Sequence, residues 1–240
     1  MLPYGRESNG DRMNVKYRHE FKYMINLLQQ EELKNRLSTV MEYDSHLPES
    51  GFYRIRSLYF DDYDNSCYYD NENGTDPREK FRVRIYNGSS DFIRLECKRK
   101  QSGKALKTSS GITEEECRML MAGEVLLPPD DDDPVRWKFY LRQTEHLLRP
   151  VIIVEYDRIP YICQEGNVRV TFDMNLCSSN RIDQFLDPDI TRNPVTATGM
   201  NLLEVKYDEF LPDPIYQSIQ SKGLQTTAFS KYYLCRRYNR

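Results

Sequence analysis

Apolar and ionisable residues alternate along much of this chain. Over residues 79–100, EKFRVRIYNGSSDFIRLECKRK, Phe81, Val83 and Ile85 interleave with Arg82 and Arg84. After Asn-Gly-Ser-Ser, Ile93, Leu95 and Cys97 interleave with Arg94, Glu96, Lys98 and Lys100. A period of two on both sides of a turn-forming tetrapeptide predicts a β-hairpin with one apolar and one charged face. The same alternation predicts strands in VKYRHEFKYMI (15–25), FYRIRSLYFDD (52–62), RPVIIVEYDRIPYI (149–162), NVRVTFDMNL (167–176) and NLLEVKYDEFL (201–211). That makes seven or eight antiparallel strands.

Helical spacing appears between them. Leu27, Leu28, Leu33, Leu37, Val40 and Met41 follow Asn26, a suitable N-cap. Thr113 and Glu116 form a capping-box pattern ahead of a short helix. VRWKFYLRQTEHLL (135–148) reads as a third helix, and DPIYQSIQSKG (213–223) as a fourth closed by Gly223. FSKYYLCRRY (229–238) reads as a short helix or strand. QSGKALKTSSG (101–111) is expected to be a mobile Gly/Ser/Lys-rich loop, and PPDDDDP (128–134) a solvated acidic turn. Residues 1–13 read as a flexible lead-in, with a single domain over 14–240.

Composition narrows the function. The 240 residues carry a net charge of −3, so no global basic field points to nucleic acid. Eighteen Tyr and ten Phe supply amphipathic bulk for a core. The six cysteines form no C-x-x-C pair and no zinc spacing, which suggests a reduced, cytoplasmic setting. The N-terminal stretch has no apolar signal segment, and the longest apolar run, VIIV, falls far short of a membrane span. There is no G-x-x-x-x-G-K-[ST] loop. His19, His46 and His146 are isolated and read as structural or surface residues.

The charged strand faces admit two readings. One is a solvated sheet surface, common for any single strand. The other is a barrel lumen, favoured because like charges directly opposite on neighbouring strands destabilise an open sheet. About eight strands can close around a slender ligand. The lumen would hold Lys22, Arg54, Arg56, Arg82, Arg84, Arg94, Lys98, Lys100, Arg158, Arg169 and Lys206, with Glu20, Glu96, Glu155 and Glu204. Arginine forks and lysine ammonium groups suit a long polyanion. The interleaved carboxylates suit a divalent cation that bridges phosphate oxygens.

RHEFKYMI, RIRSLYFDD, REKFRVRIY, IRLECKRK, VEYDRIPY, VRVTFD, LLEVKY and FSKYYLC, in this order, resemble the VTC domain of polyphosphate polymerases, within the triphosphate tunnel metalloenzyme (CYTH-like) superfamily. The likeness runs from about residue 14 to 237. It implies a mainly β α+β fold, a closed eight-stranded antiparallel barrel with helices outside. It implies Lys22, Arg82, Arg84, Lys98, Arg158 and Arg169 as the catalytic phosphate clamps. Arg54, Arg56, Lys100, Lys206, Ser230 and Lys231 would bind substrate. Glu204 would be the principal metal carboxylate, with Glu20 and Glu96 assisting, for Mn²⁺ or Mg²⁺. The implied partners are ATP, inorganic phosphate and polyphosphate. Larger family members carry a phosphate-sensing domain and membrane segments. This sequence contains neither, so a stand-alone domain, or one working with a separate membrane or regulatory protein, is expected. Three activities remain open: ATP-driven polyphosphate synthesis, triphosphate hydrolysis, and polyphosphate or nucleotide binding without turnover.

Overall fold

The computed structural model describes residues 17–128, 132–221 and 223–239. The proposed lead-in, 1–13, and part of the acidic turn lie outside the described residues. Ten strands form one antiparallel sheet: β1 (His19–Asn26), β2 (Glu42–Tyr43), β3 (Tyr53–Asp61), β4 (Arg78–Tyr86), β5 (Ser89–Gln101), β6 (Lys104–Ile112), β7 (Arg149–Cys163), β8 (Val168–Ser179), β9 (Asn193–Pro194) and β10 (Met200–Tyr207). Eight of them follow the order β1-β10-β8-β7-β3-β4-β5-β6, while β2 and β9 add short pairings to β7 and β8.

The sheet curls into an open barrel, not the closed one expected. Among the described residues its two edges pair only at Arg18, just before β1, with Ala105 of β6, through two backbone hydrogen bonds of 3.0 Å. Along the rest of the seam another segment takes the place of β6. Tyr23 bridges to Thr226, and the Thr227 N–H donates to the Lys22 carbonyl at 2.8 Å.

Helices α1 (Leu27–Leu37), α2 (Ser66–Glu72), α3 (Glu114–Met121), α4 (Pro134–His146), α5 (Asp213–Ser218) and α6 (Lys231–Tyr238) complete the fold. The expected caps form, with reciprocal side-chain and backbone bonds between Asn26 and Gln29 and between Thr113 and Glu116. Helix α5 ends at Ser218, before Gly223, and α2 follows a stretch with no helical signal in the sequence.

The segment read as a mobile loop is strand β6. Its apolar pattern is weak, but the thirteen-residue β5 presents a long edge, and nine residues of β6 pair with it. Ser102 and Gly103 make the turn, both with positive φ.

Two apolar layers cover the outside of the sheet. Phe81, Val83, Ile85, Ile93, Leu95 and Cys97 pack with Cys117 and Leu120 of α3 and Val135 and Phe139 of α4. Ile25, Leu203, Val205, Val170 and Phe172 pack with Leu33 and Leu37 of α1 and Ile215 of α5. The apolar side of the hairpin pattern is therefore the outer face. Because side chains alternate between faces, Arg82, Arg84, Glu96 and Lys98 turn to the concave side. A third cluster, with Tyr53, Ile55, Tyr59, Tyr156 and Tyr232, joins α6 to the barrel.

Candidate functional site

Register assembles the inner wall. On β4 and β5, Arg78 lies opposite Lys100, Lys80 opposite Lys98, and Arg82 opposite Glu96. On β1 and β10, Glu20 faces Lys206 and Lys22 faces Glu204. Arg158 of β7 faces Asp173 of β8. These strands enclose a cavity of about 260 Å³ lined by ten Lys or Arg side chains and only two carboxylates, Glu20 and Glu204. Tyr59, Tyr156 and Tyr232 give it aromatic walls.

Helix α6 lies across the concave side. Its N-cap, Ser230, accepts from the Tyr233 N–H, and the next residue, Lys231, reaches Glu204 at 2.8 Å and Asp173 at 2.5 Å. Lys22 Nζ donates to the Phe229 carbonyl at 2.8 Å, and the Tyr232 hydroxyl donates to the buried Asp61. The backbone N–H groups of Cys67 and Tyr68 on α2 also donate to Asp61, so one carboxylate ties both helices to β3.

Four carboxylates counter the cations unevenly. Glu20 accepts from Lys98 with both oxygens, at 3.0 and 2.8 Å. Glu204 meets Lys231, Lys206 at 2.9 Å, Arg158 at 3.3 Å and Lys22 at 3.6 Å. Asp173 accepts both arms of the Arg158 fork at 2.6 and 2.7 Å. Glu96 accepts from Arg82 and Lys107 and lies 3.9 Å from Arg84.

Burial opposes the charged form of all four. For Glu204 the joint field of Lys206, Lys231, Lys22 and Arg158 outweighs burial and holds the carboxyl well below the usual range. Lys98, Lys22 and Lys206 do the same for Glu20. Burial pushes the Lys98 amine down to about 7, with Lys22 and Lys206 adding repulsion that Glu20 only partly offsets. Burial likewise pushes Lys80 to about 7, and Arg78 and Lys22 add to the shift. Burial raises the Tyr156 hydroxyl, but Arg158, Arg84 and Lys231 bring it below its ordinary value.

Of the residues singled out from sequence, Glu20, Lys22, Arg82, Arg84, Lys98, Lys100, Arg158, Glu204, Lys206, Ser230 and Lys231 line the cavity. Arg54, Arg56 and Glu155 do not, because β3 has the opposite phase to the one expected. Arg56 lies opposite Ile85, and Ser57 and Tyr59 lie opposite Arg84 and Arg82, so the even positions of β3 face outward. There Arg56 donates to Glu155 at 2.6 Å and to the carbonyls of Phe185, Asp187 and Pro188, while Arg54 pairs with Asp157.

Arg169 shares the phase of Lys206 but sits near the end of β8, where it bonds Asp44 and the Tyr53 hydroxyl. Arg94 lies over the Phe92 ring. Glu96 faces inward but is not among the cavity-lining residues, and its oxygens accept from Arg82 and Lys107. The sequence reading overlooked Arg78, Lys80 and Asp173, although all three lie in phase with residues it named: Arg82 for the first two and Arg169 for the third. It also overlooked Tyr59 and Tyr156, because tyrosine on a strand reads as core.

The donor set fits a hard divalent cation carried together with phosphate. No group of three or more His, Cys, Asp or Glu side chains suited to a metal occurs among the described residues, so there is no all-protein cage. Glu20 and Glu204 offer ionised oxygens to the cavity, and Mg²⁺-like ions commonly take one or two carboxylates with phosphate and water completing the shell. Opposite Glu204, Thr171 Oγ1 is buried without a hydrogen-bond partner among the described residues, which leaves an oxygen for water or a hydrated ion.

The curled antiparallel sheet and its cation-lined concave face define a tunnel-fold domain. A family model of the VTC domain matches residues 17–238, and the chain belongs to that family. No curated protein matches in a direct sequence search. Among solved structures, the chain is similar to an adenylyl cyclase candidate from Hippeastrum described as having a dominant triphosphatase activity, with TM-score 0.51 and 12% identity, covering 92% of this chain and 96% of that one. A Bacillus halodurans adenylate cyclase candidate gives TM-score 0.49 and 14% identity, over 87% and 88% of the two chains. The Mimivirus capping-enzyme triphosphatase gives TM-score 0.36 and 12% identity, over 89% and 92%. At these identities the likeness concerns the fold.

Proposed function

We propose that this domain transfers the γ-phosphoryl group of ATP to the end of a polyphosphate chain inside the cavity. The observation that carries this reading is the imbalance of the lining, ten cations against two carboxylates, within a VTC-family domain. Phosphoryl transfer needs positioning and charge neutralisation more than a protein nucleophile. Arg82, Arg84 and Arg158 donate to the non-bridging phosphate oxygens with the N–H groups that Glu96, Tyr59 and Asp173 leave free. Lys22, Lys98, Lys206 and Lys231 supply point charge around them. A terminal phosphate oxygen of the acceptor attacks the γ-phosphorus, the bond to the β,γ-bridging oxygen breaks, and ADP leaves with that oxygen. Arginines and lysines on both sides of the line of attack stabilise the charge as it shifts. A Mn²⁺ or Mg²⁺ on Glu204 and Glu20 would neutralise phosphate charge there. Arg54, Arg56 and Arg169 have no part in this scheme.

Incubation with ATP and Mn²⁺, with separate measurement of chain polyphosphate, ADP and free phosphate, tests the reading. Polyphosphate is expected to appear in step with ADP. Free phosphate alone would replace polymerisation with hydrolysis, and no product at all would remove both enzymatic readings.

A further inference from the structure

Most lysines of the cavity are paired with a carboxylate. Lys22, Lys98, Lys206 and Lys231 each have a carboxylate oxygen within 4.0 Å, and Lys98 has both oxygens of Glu20 at 3.0 and 2.8 Å. Lys80 has none at that distance among the described residues. Its Nζ donates to the amide oxygen of Asn71 on α2 at 3.0 Å and to Ser230 Oγ, the N-cap of α6, at 3.3 Å, and it lies 4.8 Å from the centre of the Tyr232 ring. An amine held by two neutral acceptors keeps both bonds when it loses a proton, whereas an amine held by a carboxylate gives up an ion pair. Lys100 also lacks a carboxylate, but no acceptor holds its amine among the described residues.

Cations crowd the Lys80 position. Lys98 is directly opposite on β5, and Arg78 is the preceding inward residue of β4. Burial leads in bringing the Lys80 amine down to about 7, Arg78 and Lys22 of β1 add to the shift, and Cys67 of α2 and Asp61 of β3 offset part of it. A half-buried lysine that is neutral much of the time is a nucleophile towards carbonyl carbon. Phosphoryl transfer, as set out above, gives this amine no task.

We propose that Lys80 is a covalent site for phosphorylated aldehydes, its amine forming an imine with the carbonyl while neighbouring cations hold the phosphate. The amine adds to the carbonyl carbon, and the C=O electron pair moves to oxygen. The Ser230 hydroxyl, in hydrogen-bond contact with Nζ, can relay a proton from nitrogen to that oxygen, which then leaves as water. No oxidant or reductant takes part, and water reverses the reaction. Arg78 and Arg82, the inward neighbours of Lys80 on β4, lie about 7 Å along the strand on either side, within reach of a phosphate a few bonds from the aldehyde. The adduct fills the cavity beside Ser230 and excludes triphosphate, so such aldehydes act as reversible covalent inhibitors. The site depends on the charge of the cavity and not on which product the domain makes.

The probe is pyridoxal 5′-phosphate, with pyridoxal as the phosphate-free control. The full chain is incubated with each at neutral pH, reduced with borohydride and mapped by peptide mass spectrometry. One adduct per chain is expected, on Lys80, and pyridoxal should give at least about tenfold less, the size of one charge-assisted bond. Labelling should already be extensive between about pH 6 and 8, well below the ordinary lysine range. Triphosphate at about millimolar concentration should protect the amine, and Lys80→Arg, which keeps a cation in this place, should lose the adduct. An adduct on Lys98, labelling spread over exposed lysines, or an undiminished adduct in Lys80→Arg would overturn the assignment. Equal labelling by pyridoxal would overturn the anchoring by phosphate. A wild type that makes polyphosphate but forms no Lys80 adduct would overturn this inference alone. A Lys80 adduct on a protein that makes no polyphosphate would support this inference and overturn the proposed function alone.

Discussion

Arg56 and Arg84 sit on neighbouring, paired strands and are almost equally buried, at 1% and 6% exposure, yet they belong to opposite sides of the sheet. On the outer side, Arg56 Nε donates to Glu155 at 2.6 Å, and its two amino groups reach three carbonyls of the segment after Phe185. Arg54 and Arg192 complete the surroundings of Glu155. On the inner side, Arg84 has longer bonds, 3.2 Å to Ser57 Oγ and 3.3 Å to the Tyr156 hydroxyl, and its carboxylate, 3.9 Å away, is shared with Arg82 and Lys107. Saturated by the protein, the outer guanidinium pins a loop. The inner one keeps donor capacity for an anion. Burial of a cation therefore says less about function than how fully its donors are used.

The largest expected effect lies on the outer side. Arg56→Met leaves Glu155 with weaker compensation and frees three carbonyls, so the unfolding free energy should fall by about 3–5 kcal/mol in denaturant titrations. Triphosphate affinity of the folded variant should not change. A large loss of affinity with unchanged stability would erase the contrast between the two arginines.

Glu204→Gln comes next. It removes the carboxylate best placed for a metal, and metal-dependent turnover should fall by about a thousandfold, the scale of several kcal/mol at the transition state. Triphosphate binding, followed by calorimetry, should survive. Full turnover in Mn²⁺ would sink the assignment.

The empty inner wall is self-repelling, so triphosphate should stabilise the protein by about 2.7 kcal/mol at a hundredfold excess over Kd. In a chain of this size that is a rise in Tm of roughly 2–4 °C per kcal/mol. Arg84→Gln should shrink the ligand-induced rise by about 1.5–3 kcal/mol and barely change the stability of the empty protein. An equal rise in the variant would mean that Arg84 holds no phosphate.

The last expected effect is a pH dependence. Lys80 falls from an ordinary 10.5 to about 7 in the folded protein, chiefly through burial. Between those values the unfolded chain binds more protons than the folded one, so stability should rise as pH increases from about 7 towards 10. Lys80→Met should reduce this rise in Tm for the empty protein, leaving the share that Lys98, also lowered to about 7, contributes, and bound triphosphate should flatten it in the wild type by keeping the amines protonated. The same slope in Lys80→Met would place the titration elsewhere.

The alternation over 79–100 was sufficient to define the hairpin, its two faces and the inward set Arg82, Arg84, Lys98 and Lys100, because a period of two fixes which residues share a side. Asn26 and Thr113 carried their capping boxes in the sequence, because those bonds span three residues. Strand β3 could not be phased the same way. YRIRSLYF has arginines at one parity, tyrosines at the other and apolar residues at both, and local pattern does not say which side faces solvent, lumen or core. Pairing with β4 decided it, sending Arg56 outward with Leu58 and Phe60 and Tyr59 inward to Arg82. Strand β6 exists because β5 offers it an edge, and the seam stays open because Thr226 and Thr227 occupy β1 where β6 would have paired. Which cations have carboxylate partners, and which have none nearby, depends on distances between strands far apart in the chain. Lys98 meets Glu20 across 78 residues, and Arg158 meets Glu204 across 46. Alternation is a property of the local chain and can be read from it, whereas pairing of charges across a curled sheet arises only when the strands are brought together.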